Sequence, residues 1–335
     1  PEELGPFVQA VDKFPEIFKT GVTALFPAFH VRNFVSSVSQ AFIANASDPK
    51  AIGPAKYLTP IVDANRMMRG GNVKNATDIP AIKRLGITDE KEATEWIADQ
   101  VFPQGVTGRH QGQAGEALAD TVEGLAADLP GITPLKSKRP AGATLRDTMN
   151  PLNMRTFGPS RVGHDVANAI EAHVRSGSFI AFLKQGMEPA EAARRVKAMY
   201  VDYQNLTPFE RSVMKRMIPF WSFTKGATSF TVRELMERPG GKLSQIIQAS
   251  AQARDPGSMI PDYVAETASI PLGEKPDGSK SYLTGLGMFM EDPLAFVGSG
   301  PGGAILEAAS RMNPILKFPA ELATGQSFFQ RGPSR

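Results

Sequence analysis

Residues 207–241 read TPFERSVMKRMIPFWSFTKGATSFTVRELMERPGG, and this stretch decides the fold class. Thr207 can cap a helix with its hydroxyl, Pro208 suits the first helical position, and Glu210 can reach back to the cap amide. Pro219 cannot donate a hydrogen bond to the helix, so we expect a kink or two separate helices. The stretch therefore predicts two helical segments joined at a proline and stopped by its final Pro-Gly-Gly.

Aromatic side chains recur at helical spacing around this proline and near the N-terminus. Such a pattern indicates an apolar helix face, which is covered either by neighbouring helices of the same chain or by a bilayer or a symmetric partner. Exposed rings would be costly for a soluble monomer, at about 25 cal/mol per Å² of apolar surface. The candidates for contact with another copy or a membrane are Phe29, Phe34, Phe220, Trp221, Phe223 and Phe230, with Lys215, Arg216, Lys225 and Arg233 nearby.

The composition favours many helices separated by turns. The 335 residues include 31 glycines and 27 prolines, and 41% are hydrophobic. The net charge of +3 does not demand a nucleic-acid partner, and the absence of cysteine excludes disulfides and thiolate chemistry. The chain begins at Pro1 without an initiator methionine or a signal-peptide pattern, so we expect a piece of a longer or processed polypeptide. No uncharged apolar run reaches the ~18 residues of a membrane span.

Start and stop residues predict further helices and one hairpin. The hairpin flanks the turn at 275–278, with strands at 267–272 and 279–286. We expect a mainly α, elongated multi-helix assembly with Pro/Gly-punctuated helices and this one small β-hairpin. The predicted helices span residues 7–18, 27–45, 53–68, from 88, 116–128, from 166 to a stop at Gly186, 192–206, 242–253, 304–312 and 314–323.

Composition divides the chain into four regions. Residues 1–130 form an N-terminal helical region, 131–161 a basic Pro/Gly-rich linker or arm, 162–255 a helical bundle or rod, and 256–335 the hairpin with a C-terminal helical region. The basic region can neutralise DNA phosphates, or it can be a solvated linker or dock on an acidic partner helix. Its candidate DNA-contacting residues are Lys136, Lys138, Arg139, Arg146, Arg155 and Arg161, against one acid, Asp147.

The sequence carries no recognisable catalytic or cofactor motif. None of the four histidines (30, 110, 164 and 173) pairs with another at the spacing of a zinc-binding helix. There is no Gly-x-Ser-x-Gly elbow, and the glycine-rich run at 298–303 is not followed by Gly-Lys-Ser/Thr. We therefore expect no catalytic residue, no metal and no cofactor in this chain.

Several segments resemble the large internal virion proteins of tailed bacteriophages, also called ejection or large polyvalent proteins. The resemblance implies a protein packed in the capsid, associated with the portal or tail, and released into the host envelope with the genome. It implies no catalytic residue. The segments that carry it are FPAFHVRN (26–33), YVDY (200–203), LTPFER (206–211), RMIPFWSFT (216–224), NPILK (313–317), ELATG (321–325) and FF (328–329).

The resemblance predicts a structural virion protein, located in the capsid interior or at the portal or tail, and in the host cell envelope on infection. Its expected partners are copies of itself, portal, tail and other internal proteins, double-stranded DNA and the host membrane. Pro219 is the candidate hinge for a change of shape between storage and delivery. Two alternatives remain: a non-catalytic flank of a larger virion-carried enzyme (an RNA polymerase or a cell-wall hydrolase), or a static head or tail component.

Overall fold

The computed structural model describes residues 25–46, 54–101, 158–200, 206–252, 270–275, 278, 280–283, 308–327 and 332–333. Of the described residues, 77% are helical, which confirms the mainly α fold class. The described residues up to 200 form one compact unit, and those from 206 onward form a second. The division falls inside the predicted 162–255 region, so the first two helices of that region pack with the N-terminal helices.

The first unit is built from short helices around a long one. Proline is the first or second residue of five of these helices, where its missing N–H costs no hydrogen bond. The elements are α1 (Pro27–Ile43), α2 (Pro54–Met68), a 3-10 turn (Ala76–Asp78), α3 (Pro80–Leu85), α4 (Glu90–Val101), α5 (Gly158–Lys184) and α6 (Pro189–Met199). The predicted helices at 27–45, 53–68, from 88 and from 166 are confirmed.

Helix α5 is the centre of the first unit. It packs against α1, α2, α3, α4 and α6, and every residue from 172 to 183 is buried. A helix buried on all sides needs apolar or small residues all round, and the sequence AHVRSGSFIAFL supplies them except at His173 and Arg175. The helix also begins at Gly158, inside the region that we assigned to a linker.

Helices α2 and α5 approach each other closely at Gly177. A Cβ at this position would lie 2.9 Å from backbone atoms of both Ile61 and Pro60. Only glycine leaves room for this approach, because real Cβ atoms do not come so near to backbone. Gly177 therefore sets the distance between α2 and the central helix.

The prediction that the helix from 192 continues to residue 206 is wrong. Helix α6 ends at Met199, and Tyr200 adopts an extended conformation with φ −100° and ψ 159°. The Tyr200 hydroxyl lies 2.8 Å from Ser178 Oγ in α5, and the Arg175 guanidinium lies 5.0 Å from the centre of the ring. The apolar spacing that continues to residue 206 cannot indicate this contact with a distant helix. The contact holds Tyr200 in an extended conformation, outside α6.

The second unit contains the two halves predicted around Pro219. Helix formation stops before the proline, resumes directly after Phe220, and ends before Arg238, as the sequence predicts. The elements are a π-helical turn (Glu210–Met214), α7 (Lys215–Met217), α8 (Trp221–Glu237), α9 (Lys242–Gln252), β1 (Ile270–Glu274), β2 (Lys280–Leu283), α10 (Pro314–Thr324), β3 (Gln326–Ser327) and β4 (Gly332–Pro333).

The predicted hairpin is present. Strands β1 and β2 pair antiparallel, with Ile270 opposite Leu283 and Glu274 opposite Lys280. Gly278 closes the turn at a φ of +79°, where glycine is favoured, and its N–H donates to Lys275 O at 2.9 Å. A second antiparallel pair, β3 with β4, has two residues in each strand and was missed in the sequence.

We expect the substitution Gly177→Ala to lower the free energy of unfolding by about 1–3 kcal/mol, because the added methyl group collides with backbone of α2. In an unobstructed helix the same change would raise stability by about 0.5–1 kcal/mol. Urea denaturation measures the difference. Gly240→Ala is the control, since nothing lies within 4 Å of its Cβ position. A Gly177→Ala protein as stable as the wild type would contradict the close helix approach.

Candidate functional site

The capping box predicted at residue 207 is formed. Glu210 N donates to Thr207 Oγ1 at 3.2 Å, and Thr207 N donates to Glu210 Oε2 at 2.8 Å. Each side chain thus satisfies an amide that has no partner within the helix. This cap begins the segment that we call the arm, residues 207–217.

Glu210 also binds the helix on the other side of Pro219. Its carboxylate accepts a hydrogen bond from Trp221 Nε1 at 3.2 Å and forms an ion pair with Lys225 Nζ at 2.9 Å. One side chain therefore joins the start of the arm to the first turn of α8. We call the region 207–225, together with Asn313, the Pro219 elbow.

The contacts of Glu210 favour its charged form. The Lys225 ammonium is the largest cause, followed by the Thr207 amide, and they lower the pKa of the carboxyl from 4.5 to about 2. Since the pKa is lower than in the unfolded chain, the contribution of these contacts to stability is present above pH 4.5. It is lost as the pH falls from 4.5 through about 2.

Asn313 closes the elbow from the other end. In a continuous helix the carbonyls of Arg216 and Met217 would accept from amides four residues later, but the chain leaves the helix at Ile218. Asn313 N donates to Met217 O at 2.6 Å, and Asn313 Nδ2 donates to Arg216 O at 3.2 Å. Its Oδ1 accepts from Ile315 N at 3.1 Å and so caps α10. Asn313 is fully buried.

The predicted aromatic surface divides into half-buried rings and one core ring. Phe220, Trp221 and Phe223 are half-buried at the start of α8, and Phe29 and Phe34 are half-buried on α1. Phe230 is 2% exposed, so it belongs to the core of its unit and not to the surface where we predicted it. The face of α8 that is buried carries Thr224, Ala227, Phe230, Thr231 and Glu234.

Two of the basic residues expected beside this surface have partners within the unit. Lys225 binds Glu210, and the Arg233 guanidinium lies 5.8 Å from the centre of the Phe230 ring. These contacts reduce the number of cations that remain available to lipid head groups. Among the described residues, the apolar side chains with the greatest exposed fraction are instead Phe26, Val31 and Val162 in the first unit and Phe209, Met236, Phe318 and Leu322 in the second.

Most of the candidate DNA-contacting region lies outside the described residues. Lys136, Lys138, Arg139, Arg146 and Arg155 belong to it. Arg161 is described and lies in the first turn of α5, where it is half-buried.

A buried aspartate in the first unit was missed in the sequence. Asp63 in α2 is fully buried and accepts from Lys184 Nζ at 2.7 Å, from Arg66 Nη1 at 3.3 Å and from Lys74 N at 3.3 Å. Lys184 also donates to Lys74 O at 2.8 Å. Asp63 and Lys184 are separated by 121 residues, so no local pattern could have indicated the pair.

The central helix carries a second polar cluster. Arg175, buried in α5, forms an ion pair with Glu171 one turn earlier and lies over the Tyr200 ring. Burial raises the pKa of the Tyr200 hydroxyl and lowers that of His173, so both side chains are neutral near pH 7. The Ala169 carbonyl lies 2.5 Å from His173 Nδ1, which places the imidazole proton on that nitrogen.

The described acidic side chains do not gather into a metal site. Within the described ranges, no group of three or more His, Asp or Glu residues is arranged to hold a metal ion. Acids are found with bases instead, as in Glu234 with Arg238 and Glu321 with Lys317. The described part of the chain also has no helix with the length and apolarity required to cross a bilayer.

Comparisons with protein-family models, with curated proteins and with solved structures find no match to this chain.

We expect the Glu210 contacts to persist at neutral pH and to open in strong acid. Trp221 is one of two tryptophans, so in a Trp96→Phe background its fluorescence reports on this contact alone. Its emission should stay constant from neutral pH to about pH 5 and change between pH 4.5 and about 2, where Glu210 becomes protonated. Glu210→Gln should abolish the acid step. A wild-type midpoint near pH 4.5 would contradict the stabilising contacts of Glu210.

Asn313→Asp should destabilise the second unit by about 1–3 kcal/mol, because it replaces the Nδ2 donor to the part-buried Arg216 carbonyl with an oxygen that cannot donate. The substitution keeps the oxygen that caps α10, so the loss of stability reports on the hydrogen bond from Asn313 Nδ2 to Arg216 O. Gln245→Glu is the matched control, since Gln245 Nε2 donates to the exposed Gly240 carbonyl. The control should change stability by less than about 0.5 kcal/mol. Equal effects of the two substitutions in urea denaturation would contradict the role of Asn313.

Proposed function

We propose that this chain is a structural protein of a bacteriophage virion. In this proposal it is an internal or ejection protein, associated with the portal or tail, that helps to deliver the genome across the host envelope. The observation that supports it is the meeting of two separate stretches that resemble such proteins. Residues 216–224, which follow the similar stretch 206–211, lie far from residues 313–317 in the sequence. The two stretches bond to each other in the Pro219 elbow, where Asn313 donates to Arg216 and Met217.

The contacts between these stretches offer a physical reason why both resemble internal virion proteins. The residues that both stretches supply include a capping box, a helix break and an N-cap that satisfies the carbonyls at that break. Residues that depend on each other in this way specify a particular three-dimensional corner rather than helix formation in general. If internal virion proteins contain the same corner, this would explain why both stretches of this chain resemble those proteins.

The proposed mechanism is physical and not chemical. Exposed apolar side chains on α1 and α10, with the half-buried rings of α8, would associate with further copies of the chain, with other virion proteins or with the host membrane. Phe26, which precedes α1, is 61% exposed, and Val31 on α1 is 63% exposed. On α10, Phe318 and Leu322 are 62% and 68% exposed. Leaving such side chains in water is unfavourable, so association of the chain would be driven by covering them.

The basic region supports contact with the genome in this proposal. Its lysines and arginines would neutralise phosphates without reading the sequence, as required of a protein that conducts any part of a genome. Binding of this kind weakens steeply with salt, which separates it from recognition of a specific site.

The proposal predicts that the chain leaves the particle with the genome. Particles purified from the phage that encodes it should contain the chain, as measured by mass spectrometry, before genome release is triggered. After release, its amount relative to the major capsid protein should fall at least tenfold. A tail or head protein of the same particles serves as the control that stays attached.

Two other results would redirect the assignment. Absence of the chain from full particles would reject a virion protein of any kind. Undiminished amounts in emptied particles would reject delivery and favour a static head or tail component.

A further inference from the structure

The arm has little apolar burial to hold it in place. Neither the π-helical turn Glu210–Met214 nor α7 contains a buried residue, and Phe209 is 61% exposed. Segments with few buried apolar contacts open locally at low free-energy cost. Polar contacts are therefore important in setting the position of the arm relative to α8.

Those polar contacts lie at both ends of the arm. Glu210 binds Trp221 and Lys225 of α8, while Asn313 binds the carbonyls of Arg216 and Met217. Between them the chain turns at residues 218–220, where Ile218 (φ −121°, ψ 103°) and Phe220 (φ −105°, ψ 27°) are not helical. Non-helical residues of this kind can absorb a rotation without breaking a helix.

We propose that Glu210 is the latch of a conformational joint at Pro219, holding the arm against the first turn of α8 until the latch opens. Loss of the contacts to Trp221 and Lys225 frees the N-terminal end of the arm, which then rotates about residues 218–220. The contacts of Asn313 stay at the other end and act as the fixed side of the joint. Pro219 is thus the pivot, and the side chain of Glu210 sets which position is occupied.

The π-helical turn is consistent with a segment that has two positions. It accommodates one extra residue in a helical turn, a less favourable geometry that often occurs at functional sites. Since Glu210 keeps its charge well below neutral pH, a mild fall in pH does not open the latch. Its biological use rests on the proposed function, in which the latched arm would be the storage shape and the open arm the delivery shape.

The chain allows the joint to be measured directly. It contains no cysteine, so Ser212→Cys in the arm and Ser229→Cys in α8 provide the only two sites for spin labels. Both serines are exposed, and both lie in the same unit. Double electron–electron resonance on the full-length purified protein then reports the distance between the arm and α8.

We expect one narrow distance distribution in the wild-type background, with any open population below about a tenth. Glu210→Ala should add a second population at longer distance. Lys225→Met removes the ion pair and leaves the Trp221 bond, so it should add a smaller one. Glu237→Ala is the matched control, because Glu237 is an exposed acid in the last turn of α8, remote from the elbow.

Two outcomes would overturn the latch. One is a Glu210→Ala distribution identical to the wild type, and the other is equal broadening in Glu210→Ala and Glu237→Ala. If Glu210→Ala fails to fold by circular dichroism, Lys225→Met decides, and an unchanged distribution in that variant overturns the proposal. The measurement uses isolated protein, so absence of the chain from virions would reject the proposed function without affecting this result.

Discussion

The second unit depends on how the chain satisfies the carbonyls left by the break at Pro219. A helix that ends inside a folded unit has carbonyls without partners, and an unpaired buried acceptor costs about 1–3 kcal/mol. Asn313 supplies donors to two of them and uses its remaining oxygen to begin α10. One fully buried residue thus binds the end of one helix, caps the start of another and joins segments that are distant in the sequence. The break is therefore a connection point and not merely a kink.

Polar groups have a different role in the first unit. Asp63 and Arg175 lie within the core, and removing one partner of such a pair would leave an uncompensated charge there. Replacing a whole buried pair with apolar residues is often neutral, so the Asp63–Lys184 pair specifies the arrangement of α2 and α5 more than it adds stability. The close approach at Gly177 fixes the distance between the same two helices.

Local signals in the sequence predicted most of the described helices, and they failed where a distant residue decided the outcome. Thr207 and Glu210 act within one turn, and the hairpin turn at Gly278 does the same, so their patterns predicted them. Tyr200 leaves a helix that periodicity would continue, because Ser178 and Arg175 bind it from another helix. Phe230 and Phe223 belong to the same predicted stripe, yet only Phe230 reaches the core. Periodicity indicates a face, but it does not show which end of that face is covered.

Glu210 illustrates how a local device can acquire a second role. A capping box needs only Thr207 and Glu210, and it would form in an isolated helix. The addition of Trp221 and Lys225 makes the same carboxylate a contact between two helical segments, and no residue of the π-helical turn itself is buried. An apolar contact would be stronger but would not be released without exposing its surface to water, whereas a polar contact can exchange its partners for water at small net cost. The proposed function requires one shape in a packed particle and another during delivery, and the proposed polar latch on a proline joint would meet both requirements.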